Sequence, residues 1–91
     1  MISKYLVPIE QVDEVRDAHL AYLDELEARN LVVTAGRQIP ANGGVVLLNV
    51  DDEARAQELI SQDPYVLRGV AEYSATGWLP TRGALKDYPK P

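Results

Sequence analysis

Residues 31–50, "LVVTAGRQIPANGGVVLLNV", decide the fold. "LVVTAGRQI" is rich in β-branched residues and reads as a strand. "PANGG" is a turn of residues that tolerate unusual backbone angles, and "VVLLNV" is a second strand, so a β-hairpin lies in mid-chain. The second arm does not alternate. Val45, Val46, Leu47 and Leu48 put apolar side chains on both faces of the sheet.

On the N-terminal side, Val12, Val15, His19, Tyr22 and Leu26 recur at intervals of three and four, which predicts a helix from Glu10 to about Arg29. Acids at 13, 14 and 17 near its start and Arg29 near its end suit the helix dipole. "SKYLVPI" before it reads as a strand stopped at Pro8. On the C-terminal side, "DDEARAQELI" predicts a shorter helix, with Asp51 or Asp52 as N-cap and Ala56, Leu59 and Ile60 as its apolar side. "GVAEYSATGWL" alternates, with Ala71, Tyr73, Ala75 and Leu79 on one side and Glu72, Ser74, Thr76 and Trp78 on the other, and predicts the last strand.

The order strand, helix, strand, strand, helix, strand belongs to the α+β class. Connection handedness folds it into a ferredoxin-like βαββαβ plait, a four-stranded antiparallel sheet with two helices on one face. Those helices cover one face only, whereas the third strand is apolar on both. The expectation is a homodimer whose sheets face each other, the pairing of a dimeric α+β barrel. Residues 1–82 form the domain and residues 83–91 a Pro-rich tail, a kind of segment that is ordered only when it docks.

With 91 residues, the chain buries only roughly 60 to 65% of its unfolded surface, so its own core is thin. Net charge is −5, distributed as −7 over residues 1–79 and +2 over residues 80–91. An acidic chain is repelled by phosphate backbones and anionic lipid, so neither nucleic acid nor a membrane surface is an expected partner. No apolar run approaches the roughly 18 residues of a membrane span. "MISKYLVPIE" lacks a basic region followed by an apolar run and does not read as a signal peptide, so a cytoplasmic location is expected. With no cysteine there is no thiol nucleophile, and with one histidine there is no metal-ligand spacing. "NGG" lacks the pattern of a phosphate cradle. The expected ligand is a small molecule, with no metal or organic cofactor.

His19 is the only histidine and lies in the apolar stripe, where it is either a packed core residue or a base tuned by burial. Asp63, in "SQDPYVLRG", fits an N-cap, with Pro64 at the first position of a single turn "PYVL" and Gly69 ending it. A capping carboxylate still has acceptor capacity, and a fixed carboxylate is what a catalytic imidazole needs. Arg16, one turn before His19, either holds an anionic substrate or pairs with Asp13 or Asp17. Arg37, at the mouth of the hairpin, grips a carboxylate or phenolate or keeps a sheet edge soluble. Tyr22, Tyr65, Tyr73 and Trp78 line an aromatic pocket or belong to core and interface.

Arg16 with His19, Ala35-Gly36, Gly43-Gly44 and Asp63-Pro64-Tyr65 together resemble the YciI-like family over residues 1 to about 82. That resemblance implies a dimeric α+β barrel with a His–Asp dyad, carried here by His19 and Asp63, in a pocket. The enzymatic member type it suggests is a dehydrochlorinase of a chlorinated hydroxyhydroquinone. Two functions follow as expectations. One is a cofactor-free lyase or isomerase of a small oxygenated cyclic or phenolic compound, with Arg16, Arg37 and Tyr65 binding it. The other is a non-catalytic dimeric ligand-binding or accessory module.

Overall fold

The computed structural model describes residues 1–90. Its elements are β1 (Ile2–Tyr5), α1 (Ile9–Ala28), β2 (Val32–Arg37), β3 (Gly44–Leu48), α2 (Glu53–Ile60), α3 (Pro64–Leu67) and β4 (Ala71–Ser74). The four strands form one antiparallel sheet in the order β2-β3-β1-β4, the topology of a ferredoxin-like plait.

Each helix boundary has a local cause. Asp52, rather than Asp51, caps α2, its side chain accepting from the amide of Arg55 at 2.8 Å. α1 is stopped two residues past its last residue, Ala28, by Asn30, whose φ of 57° is left-handed. There the amide of Asn30 donates to the Glu27 carbonyl and that of Leu31 to the Leu26 carbonyl, both at 2.9 Å. This is a Schellman ending, and it packs Leu31 and Leu26 together in the core. Gly69, at φ 70°, ends α3 in the same way, returning Val70 to the carbonyl of Tyr65 at 3.0 Å.

Register sorts side chains to two faces. Ser3 stands opposite Tyr73 and Tyr5 opposite Ala71, and these face the helices with Val46. Ile2 stands opposite both Val45 and Ser74, and Lys4 opposite Glu72, on the other face. The covered face carries two apolar clusters. In one, Leu23 and Leu26 of α1 meet Leu59 of α2 over Val32 and Val46. In the other, Val12 and Val15 of α1 meet Tyr65, Val70 and Ala71. The stripe of α1 is buried as expected at Val12, Val15, His19 and Leu26; Leu23 joins it, and Tyr22 is only half-buried.

The first and last strands of the chain are shorter than expected. β1 stops at Tyr5 because Leu6-Val7-Pro8 turns the chain into α1. β4 ends at Ser74 instead of running to Leu79, because its partner β1 begins at Ile2, the residue opposite Ser74, and the backbone of Met1 before it bonds to Val46 of β3 at 2.8 and 2.9 Å. Leu79 is accordingly 82% exposed. The tail docks on its own domain. The carbonyl of Pro89 accepts from Asn49 Nδ2 at 2.8 Å and from Asn30 Nδ2 at 3.2 Å, the Tyr88 hydroxyl donates to Asn30 Oδ1, and Lys90 pairs with Asp51. No helix among the described residues is long and apolar enough to cross a membrane.

Candidate active site

The site is built where the buried stripe of α1 meets the start of α3. Asp63 is held by the backbone, since its Oδ1 accepts from the Tyr65 amide at 3.0 Å as N-cap of α3. The one-turn helix therefore aims a carboxylate with no solvent exposure at α1. His19 Nδ1 lies 2.8 Å from Oδ1 and 2.9 Å from Oδ2 of that carboxylate. The contact between His19 and Asp63, forty-four positions apart, is formed.

A carboxylate only accepts, so this contact assigns the hydrogen to Nδ1 and leaves the lone pair of the neutral ring on Nε2. Nε2 has no hydrogen-bond partner among the described residues, and no buried side-chain nitrogen or oxygen lacks one, so Nε2 lies at the accessible edge of the ring. The face of the ring is fixed as well. Tyr65 stacks on it with centroids 3.8 Å apart and planes 3° from parallel, and Tyr5 meets Tyr65 edge-on at 6.1 Å and 86°.

Tyr73 is the residue that sequence reasoning placed only among pocket aromatics. Its hydroxyl donates to Asp63 Oδ2 at 2.8 Å, so β4 supplies a third donor to the carboxylate. Burial, then the charge of Asp63, push the Tyr73 phenol far above its usual range, which keeps it a donor. The only sequence signal for this role was its place, with Ala71, on the side of β4 that faces the helices. Tyr22 donates to the Leu59 carbonyl at 2.6 Å, tying α1 to α2, and its phenol is raised by burial first and by Asp63 second. Trp78 does not join these tyrosines. It lines a separate cleft of about 310 Å³ with Val33, Leu47, Leu79, Lys86 and Tyr88.

The arginines divide differently from the expected pairing. Arg37, not Arg16, pairs with Asp13, its Nη2 donating to Oδ1 at 2.6 Å, because the end of β2 comes beside the first turns of α1. Its Nε donates to the Tyr5 hydroxyl at 3.0 Å. Asp13, then Tyr5, raise the Arg37 pKa, so the guanidinium is charged throughout. Arg16 is exposed and forms no ion pair within 4.0 Å among the described residues. Burial, then Tyr5, raise the Tyr65 phenol, and Arg37 and Arg16 oppose them, so both positive charges reach that hydroxyl. Among the described residues no cluster of three His, Asp or Glu side chains could hold a metal ion.

Comparison with curated proteins and with solved structures finds no match. A family model does match: the YCII-related domain covers residues 1–79, a span that includes every residue of the dyad and of the aromatic ladder beside it, and the chain belongs to that family.

Proposed function

We propose that the chain is a cofactor-free lyase or isomerase in which His19 acts as general base through Nε2 on a small oxygenated cyclic or phenolic compound. The observation that carries this reading is the His19–Asp63 contact at 2.8 and 2.9 Å, which commits Nδ1 and leaves Nε2 at the accessible edge. Nε2 takes a C–H or O–H proton, and the electron pair left behind delocalises onto a substrate oxygen. Asp63 offsets the charge of the imidazolium, and in this reading Arg16, Arg37 and the Tyr65 hydroxyl stabilise that oxygen. Returning the proton to another atom makes an isomerase. Expelling a leaving group such as chloride makes a lyase, the dehydrochlorinase form that the family resemblance implies.

The open face of the sheet supports a homodimer in this reading. Ile2 is 45% and Val45 42% exposed there, beside the half-buried Leu47, and a second copy would cover them. General acid–base help is worth about 10²- to 10⁴-fold. His19→Ala is therefore expected to lose that much turnover against a panel of enolisable and phenolic substrates. Full turnover in that variant would sink the proposal.

One observation favours the non-catalytic module instead. Asp63 already serves as cap of α3 and as acceptor for Tyr73, so the carboxylate has structural work without chemistry. Under that reading, Asp63→Asn changes melting temperature and leaves ligand affinity untouched.

A further inference from the structure

We infer that the ligand of this site carries a carboxylate or an equally compact oxyanion, and that this group displaces Asp13 from Arg37. The inference rests on the reading of His19 as the base and names the class of compound it acts on.

Arg37 is fixed on one side and exchangeable on the other. Its Nε is held by the Tyr5 hydroxyl at 3.0 Å, its Nη2 is engaged by Asp13, and its Nη1 makes no hydrogen bond among the described residues. The planar fork of a guanidinium accepts a carboxylate through two parallel bonds, and here only one such bond is made. The pair is also weakly held. The Asp13 side chain is 48% exposed, and its Oδ2 makes no hydrogen bond among the described residues. An exposed ion pair shifts an equilibrium by about fivefold at most, so an incoming carboxylate competes with it on equal terms.

The guanidinium is tied to the dyad through rigid rings. Tyr5, which holds Arg37, packs edge-on against Tyr65, and Tyr65 lies flat on His19. Charge supports the same ligand. Arg37 and Arg16, which has no ion pair among the described residues, both act on the Tyr65 hydroxyl, in a chain whose net charge is −5. The oxyanion of the ligand takes over at Arg37 the negative charge that Asp13 supplies there.

The test uses benzoate and benzamide, which share a shape and differ in charge. Each is titrated into ¹⁵N-labelled full-length protein while the Arg37 Nε–H and the His19 ring nitrogens are followed by NMR. Benzoate is expected to shift both sets of signals and benzamide neither. Arg37→Gln should abolish the response, and Asp13→Asn should tighten benzoate binding about two- to fivefold. An equal response to benzamide, a benzoate response that survives Arg37→Gln, unchanged affinity in Asp13→Asn, or no response in parent and variant alike would each overturn the inference. Binding requires no proton transfer, so the two readings fail separately. Full turnover in His19→Ala removes the base and leaves the benzoate result standing, whereas loss of turnover with no benzoate response removes the anion site alone.

Discussion

Tyr73 donates its phenolic hydrogen to Oδ2 of Asp63 at 2.8 Å, the same carboxylate that receives Nδ1–H of His19. One buried group thus ties strand β4, helix α1 and the start of α3 together, and its loss is felt in all three.

Tyr73→Phe keeps the ring and removes that donor. A hydrogen bond to a buried charged group contributes about 1.5–3 kcal/mol, and the variant is expected to lose stability in that range by urea denaturation. An unchanged midpoint would mean that the bond contributes nothing in solution.

The same phenol sets an alkaline limit. Burial first, and Asp63 second, raise Tyr73 above its ordinary value of 10.0, and burial likewise leads the upward shifts of Tyr22 and Tyr65. Above pH 10.0 the unfolded chain releases protons that the folded chain keeps. The contribution is therefore complete below that pH and declines as pH rises through the folded values. Denaturation midpoints measured from about pH 9 to about pH 11 should fall with a shallower slope in Tyr73→Phe than in the parent.

Asp63→Asn should fold and Asp63→Ala should not fold well. The asparagine oxygen still caps the Tyr65 amide, but its NH₂ then faces His19 Nδ1 and donates to it, moving the ring hydrogen to Nε2. The ¹⁵N shifts of the ring are expected to exchange their protonated and unprotonated positions, and activity through Nε2 to disappear. Alanine leaves three donors without an acceptor, at about 1–3 kcal/mol for each group that stays dry.

Gly43 and Gly36 are predicted to answer differently to alanine. A Cβ at Gly43 would stand 1.8 Å from the Ser3 carbonyl oxygen and 2.7 Å from its carbon, and both are backbone atoms of β1. β3 would have to leave β1, a loss of more than about 4 kcal/mol or a failure to fold. A Cβ at Gly36 meets nothing within 4 Å, and that variant should stay within about 0.5 kcal/mol of the parent. Expression and melting of the two side by side checks the contrast.

Truncation after Asp87 removes the bonds of Tyr88, Pro89 and Lys90 to Asn30, Asn49 and Asp51. All are at least partly exposed, so the expected cost is about 1–2 kcal/mol, with faster hydrogen exchange at the α1–β2 junction. The ring signals of His19 should not move, since the described tail residues bond to Asn30, Asn49 and Asp51 and none of them to His19 or Asp63.

The sequence by itself determined the elements whose causes are local. Apolar spacing placed α1 and put His19 on its buried side, Asp63-Pro64 and Gly69 bounded a single helical turn, and the hairpin around "PANGG" imposed the plait. Caps, turns and periodicities act within a few residues of chain and are legible there. Only the tertiary structure decided what meets what. β4 stops at Ser74 because β1 begins at Ile2. Arg37 finds Asp13 because the end of β2 comes beside α1. His19 and Tyr73 reach one carboxylate because strand order and register bring α1, α3 and β4 to a common point. Contacts between distant residues depend on how whole elements pack, and that packing is set by the burial of the entire apolar surface rather than by any one stretch.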